Sequence, residues 1–338
     1  PGRGSHLYFR AGYNKKSTDV VVTNCRFYNW LARAIRCTGD YRSVNVSHNL
    51  FNNYGGWDGS AVTGIYGAGS TFYPSIIYYQ TDSGPVTCSY NTCLYTSSDV
   101  ISGGWYHKNM NIIGNTVKHA GYNGVNVLNQ IAQGFGFSGG KIDDARGTVN
   151  FAGHRFEMAD ELIAVATTAL YGRAFEFSTA NTNYVVNISD SYFKGAGIYS
   201  RHTGYTSSRY RFNMSNVTFD GETADSNLSN SIKVIGCHFI AGADIAIDGM
   251  VSGCEFLGDS IITVTTGTGT SIQILDNTVS RDSAGNFIVI PDHAVGTIQG
   301  NVKLEGSATA RISFTGFASP FRNNSIVISD NQLDMQVE

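Results

Sequence analysis

The sequence has little charge. Only 14% of its 338 residues are Asp, Glu, Lys or Arg, against about a quarter in an average globular domain. The net charge is −3, which offers no cationic surface to nucleic acid or anionic lipid. No apolar run approaches the roughly 18 residues of a membrane span, so no membrane insertion is expected. The opening residues Pro1-Gly-Arg-Gly-Ser-His6 contain no apolar leader. Reaction signatures are also missing. There is no Gly-x-Ser-x-Gly, His-Glu-x-x-His, Walker loop or EF-hand, so no cofactor and no metal site are expected. The six cysteines match no zinc or redox spacing. They read as small buried hydrophobes, although a Cys237–Cys254 bridge is sterically conceivable.

What is present points to β-structure. The chain has 39 Gly, 19 Tyr and 19 Phe, and is 42% hydrophobic, a balance that favours strands and turns over helices. One short phrase recurs throughout. Its clearest copies are Ser231-Ile-Lys-Val-Ile-Gly-Cys-His-Phe239 and Met250-Val-Ser-Gly-Cys-Glu-Phe256. Each is an alternating apolar stretch, a Gly, Asn or Asp, a small anchor residue, a free position and a large apolar residue. A second apolar stretch follows after a polar turn. The anchors are 25, 49, 91, 115, 154, 191, 217, 237, 254, 277, 301 and 331. The steps between them are 24, 42, 24, 39, 37, 26, 20, 17, 23, 24 and 30 residues. A step of 17 is too short for a strand–helix–strand unit and suits one solenoid coil.

Strands of period two send alternate residues into a core. The Asn, Asp or Gly before ten of the twelve anchors supplies the left-handed conformation of a sharp corner. Asn anchors are expected to bond above and below. The steps of 42, 39 and 37 require insertions, and the 37-residue step contains two second-strand patterns (162–165 and 174–177), which predicts an additional coil. Insertions in a solenoid gather on one face, often the working one.

This pattern resembles the right-handed parallel β-helix of the pectate-lyase-like superfamily over about residues 17–337. The resemblance implies an all-β, single-stranded right-handed parallel solenoid of about 12–13 coils, forming one domain over 1–338. With neither end capped in sequence, a fragment of a longer chain, or ends covered by partner subunits, is expected. Within the superfamily the chain looks most like the shaft of a bacteriophage tailspike or capsule depolymerase. That implies a homotrimer, outside the cell or on the virion tail, with a polysaccharide as substrate. Thr263 and Thr265 suit burial between subunits.

The candidate catalytic groups are carboxylates. Glu176, in Ala174-Phe-Glu-Phe177, is expected to face outward with Asn126, Ala164 and Tyr199 as column neighbours. Asp143 lies in the 39-residue step, and Glu157, Asp160 and Glu161 follow one coil later. Asp99 is a further acid near Trp105 and His107. Glycosidases pair two carboxyl groups about 5–5.5 Å apart for retention or about 6.5–9.5 Å for inversion. Coils repeat at about 4.8 Å, so acids on nearby coils fall in range. Trp57, Tyr66, Trp105, Tyr106 and His107 suit stacking on sugars, or a small satellite core. Arg201 and Arg209 suit bidentate capture of a sugar carboxylate. The sequons at Asn45, Asn187, Asn213, Asn216, Asn227 and Asn323 read as products of the repeat. A lyase acting on uronates and a non-catalytic adhesin are the competing functions.

Overall fold

The computed structural model describes residues 7–11, 18–29, 33–54, 75–80, 85–95, 101–104, 109–120, 133–138, 146–160, 173–177, 183–195, 197–200, 211–221, 232–264, 271–291, 294–315 and 325–337. They form an all-β solenoid in which strand pairing among the described residues is parallel, from Leu7–Arg10 against Arg33–Thr38 to Ala310–Phe314 against Asp334–Val337. Two ladders share one 21-stranded sheet, which bends at the anchors. The third ladder is a seven-stranded sheet over the early coils and a five-stranded sheet from Ile245–Ile247 onward.

The anchors lie in one column. The backbone N–H of each donates to the side chain of the next: Cys25 to Asn49 Oδ1 (2.9 Å), Asn49 to Asn91 (3.0 Å), Asn91 to Asn115 (3.0 Å) and Asn115 to His154 Nδ1 (3.2 Å). The series resumes with Cys254 to Asn277 (2.9 Å), Asn277 to Asn301 (3.2 Å) and Asn301 to Asn331 (3.0 Å). Each Asn Nδ2 in turn donates to a carbonyl of the previous coil, as Asn277 does to Val251 (3.2 Å). So twelve anchors number twelve coils, Cys25 marking coil one and Asn331 coil twelve. The residues before seven anchors (Asn24, His48, Tyr90, Asp190, Asn216, Asp276 and Asp330) have φ between 50° and 56°. This is the corner conformation that Asn and Asp ask for in the sequence, and His48 and Tyr90 adopt it as well.

One expectation is corrected. The 37-residue step is a single coil: His154 N donates to Ser191 Oγ (3.1 Å), and Arg146–Ala152 pairs directly with Asn183–Lys194. Its surplus length lies between Met158 and Arg173. In coil four the third-ladder strand is Gln133–Ser138.

Period two fills the core. Phe193, Phe219, Phe239 and Phe256 stack coil on coil, with ring centroids 5.5, 5.3 and 4.6 Å apart, and all are buried. Aligned rings add dispersion and favourable offset geometry to burial. All six cysteines are free thiols, and Cys37, Cys88, Cys93, Cys237 and Cys254 are buried. Burial pushes the Cys37 and Cys88 thiols up to about 12, so they are inert. Thr263 is exposed, and Thr265 lies outside the described residues. Of the sequon residues, Asn187, Asn213 and Asn216 use Nδ2 to donate to Asn150, Asn187 and Asp190 at 2.9 Å each. These amides serve the repeat.

His154 replaces Asn in the column and copies its bonding. Nδ1 accepts from Asn115 N, and Nε2 meets Ile112 O at 2.6 Å. Only the neutral ring protonated at Nε2 satisfies both. Its partners include these backbone groups and, through its own N–H, Ser191, with Phe151 edge-on at 6.0 Å. Burial lowers its pKa from 6.5 to about 4. The unfolded chain therefore takes up this proton at a higher pH than the folded one. The stabilisation is complete above pH 6.5 and is lost as pH falls towards 4, by about 3 kcal/mol. Urea unfolding at pH 7 and pH 4 measures it. His154→Asn should flatten this part of the pH dependence; parallel curves for the two proteins would refute the assignment.

Candidate functional site

The outward face of the second ladder collects the chemistry. In the first five coils this ladder contributes three to five residues after the anchor. The second of them points inward, so positions one and three after the anchor face out. In coil five these are Arg155 and Glu157, in coil six Tyr192 and Lys194, in coil seven Thr218 and Asp220. Backbone register aligns Glu157 with Lys194 and Lys194 with Asp220. It likewise aligns Arg155, Tyr192 and Thr218.

These side chains form one network. Arg155 Nε donates to Glu157 Oε1, and its guanidinium lies 4.7 Å over the Tyr192 ring. Tyr192 O–H donates to Asp220 Oδ2 at 2.5 Å. Lys194 Nζ reaches Asp160 Oδ1 at 3.1 Å. Desolvation, then the bond to Asp220, pushes the Tyr192 phenol up to about 12. The hydrogen bond and charge of Asp160 raise the Lys194 ammonium. Both groups therefore keep their protons at neutral pH. The next coils on the same face carry His238 and Glu255, 2.9 Å apart.

Towards coil one the same face becomes aromatic. The rings of His48 and Tyr90 stack at 5.2 Å and 18°. At the far end of the same strands Tyr54 meets Tyr95 edge-on at 4.9 Å, and Tyr95 stacks on His119 at 4.5 Å and 5°. Rings thus border both sides of a floor made by Leu50, Asn52, Thr92, Leu94, Thr116 and Lys118.

Glu176 lies elsewhere. Its strand, Arg173–Phe177, belongs to the third ladder, where Glu176 is aligned with Gly136 on one side and Tyr199 on the other. Tyr199 is therefore the expected neighbour, while Gly136 takes the place expected for Ala164 and Asn126, which lie outside the described residues. One coil further, Ser102 is aligned with Gly136. Glu157 and Glu176 sit on different ladders and do not share a row. Glu161, Asp143, Asp99, Trp57, Tyr66, Trp105, Tyr106, His107, Arg201 and Arg209 also lie outside the described residues.

Asp220, Lys194, Tyr192, His48, Tyr90 and Arg26 escaped the sequence reading. Each stands one or three places after an anchor, or one before it. Arranging residues by distance from the anchor would have put them in common rows. Among the described residues no group of three or more His, Cys, Asp and Glu is disposed to hold a metal ion, and no helix is long and apolar enough to cross a membrane. Comparison of the chain with protein-family models, curated proteins and solved structures returns no significant match.

Proposed function

We propose that the protein binds and hydrolyses a polysaccharide on the outward face of the second ladder, with Glu157 and Asp220 as the carboxyl pair. The observation that carries this reading is their register. They occupy one row two coils apart, about 9.6 Å at the backbone, and flank Lys194. That separation lies at the wide end of the inverting geometry, in which one carboxyl group protonates the leaving oxygen and the other activates a water. Lys194 between them is placed to donate to a sugar hydroxyl. Aromatic rings along the same face give the chain of sugars its platforms.

Elimination at a uronate requires a base that can take the proton beside the carboxylate. Tyr192 and Lys194 are both held protonated, which favours hydrolysis over a lyase reaction in this row. A second reading places the acid at Glu176, whose backbone row continues through Gly136 and Ser102. Unequal coil lengths and the aromatic face support, at the level of resemblance, a tailspike-like depolymerase of the pectate-lyase-like kind. On that view the protein is a homotrimer acting outside the cell on bacterial capsule or O-antigen.

The test is release of reducing ends from a panel of capsular and O-antigen polysaccharides. New ends without absorbance near 235 nm are expected. A rise at that wavelength would make the protein a lyase. Binding with no new ends would make it an adhesin.

A further inference from the structure

The aromatic end of this face contains an open cavity of about 550 Å³, lined by residues of coils one to three, including Arg26, His48, Leu50, Tyr90 and Thr92. That volume lies within the usual range for small-molecule sites, about 300–1,000 Å³. Three features give it chemical character. The first is an exposed aromatic edge: Tyr90 is 57% exposed, although its ring is held in place. His48 stacks on one side. On the other is Gly114, where a Cβ would stand 2.6 Å from Tyr90 Cδ1 and Cε1. The ring thus lies across a coil that has no side chain at that place, and it is fixed before any ligand arrives.

The second feature is a cation without a counter-charge. Arg26 is exposed and has no carboxylate partner among the described residues. Elsewhere on this face the guanidinium of Arg155 is engaged with Glu157 and Tyr192. The third is the polar remainder of the wall, Asn24 and Thr92, suited to hydroxyl groups.

We propose that this cavity binds an acidic saccharide, with the sugar against the exposed edge of Tyr90 and its carboxylate on Arg26. The inference rests on the glycan-binding part of the functional reading and adds the class of sugar. A guanidinium and a carboxylate match in a planar, bidentate fashion, and a preorganised ring contributes contact without ordering cost. One cation per platform suits one carboxylate per sugar unit. A polynucleotide would need a basic stripe, which the net charge of −3 does not supply.

The experiment measures equilibrium binding of acidic bacterial oligosaccharides, the same oligosaccharides after carboxyl reduction, and neutral ones. The wild-type protein should hold the acidic members roughly tenfold more tightly than their reduced forms. Arg26→Gln should abolish that preference and leave binding of the reduced forms unchanged. Tyr90→Ala should weaken both, and Tyr90→Phe should restore both. Circular dichroism confirms that each variant is folded. Equal binding of acidic and reduced forms by the wild-type protein, a preference that survives in Arg26→Gln, or binding confined to neutral glycans would each overturn the proposal. Cleavage of a neutral glycan that depends on Glu157 would overturn it too, while leaving the hydrolase reading intact. An Arg26-dependent preference with no cleavage anywhere would leave this site standing and remove the hydrolase.

Discussion

Glu157→Gln and Asp220→Asn are each expected to lower the rate of new reducing-end formation by about 10²–10⁴-fold, the usual contribution of a positioned acid or base. Binding of intact glycan should change little, because each replacement keeps size and hydrogen-bonding capacity. The two carboxylates differ in surroundings. Glu157 is engaged by Arg155, and Asp220 accepts the Tyr192 O–H at 2.5 Å. Tyr192→Phe removes that bond and leaves both carboxylates in place, so a smaller loss is expected than for Asp220→Asn. Asp160 bonds to Lys194, but its side chain is 81% exposed, and Asp160→Asn should be nearly silent. Parallel assay of Glu176→Gln decides between the two faces. Inactivity of that variant, with Glu157→Gln and Asp220→Asn both active, would move the reaction to the third ladder.

The second large effect concerns the anchor column. Asn277→Leu should destabilise the protein by about 4 kcal/mol. The side chain is fully buried and bonds to Cys254 N, Val251 O and Asn301 Oδ1. Leucine replaces the amide volume but satisfies none of these groups, and each buried polar group left unpaired costs about 1–3 kcal/mol. Total domain stabilities run to about 5–15 kcal/mol, so the loss is a large share. Asn331→Leu, only half-buried in coil twelve, should cost far less, because water reaches the orphaned groups. Denaturant midpoints for the two variants measure the contrast, and equal shifts would show that the column is not the cause. The row of Glu157, Lys194 and Asp220 lies three or more coils from Asn277, which keeps this stability effect separate from activity.

The fold was legible because its determinants are local and repeated. An alternating stretch, a residue tolerant of positive φ and a small anchor recur in each coil, and the hydrogen bonds from Cys25 to Asn115 and from Cys254 to Asn331 follow that register. The additional coil expected in the 37-residue step failed for a related reason. Residues 162–165 carry strand-like apolar character, yet the partners of a ladder are chosen by the neighbouring coil, and Arg173–Phe177 already fills the place beside Gln133–Ser138. The site was less legible. Glu157 and Asp160 were recognised as acids, but their significance depends on Lys194 and Asp220, which are 37 and 63 positions beyond Glu157 in the chain and beside it in the row. Likewise Tyr90 is unremarkable among 19 tyrosines until Gly114 is seen to make room for its ring.

The amide column also has a mechanical consequence. Asparagine occupies coils two to four and again coils ten to twelve, each side chain locking its coil to the next. Between them stand His154, Ser191, Val217 and two cysteines. Coils six and seven are tied instead from outside the column, by Asn216 to Asp190 at 2.9 Å and Tyr192 to Asp220 at 2.5 Å. Resistance to sliding is therefore carried within the corner towards both ends and on the outer surface in the middle. The charged row with Lys194 and Asp220 is itself part of what holds that middle length in register.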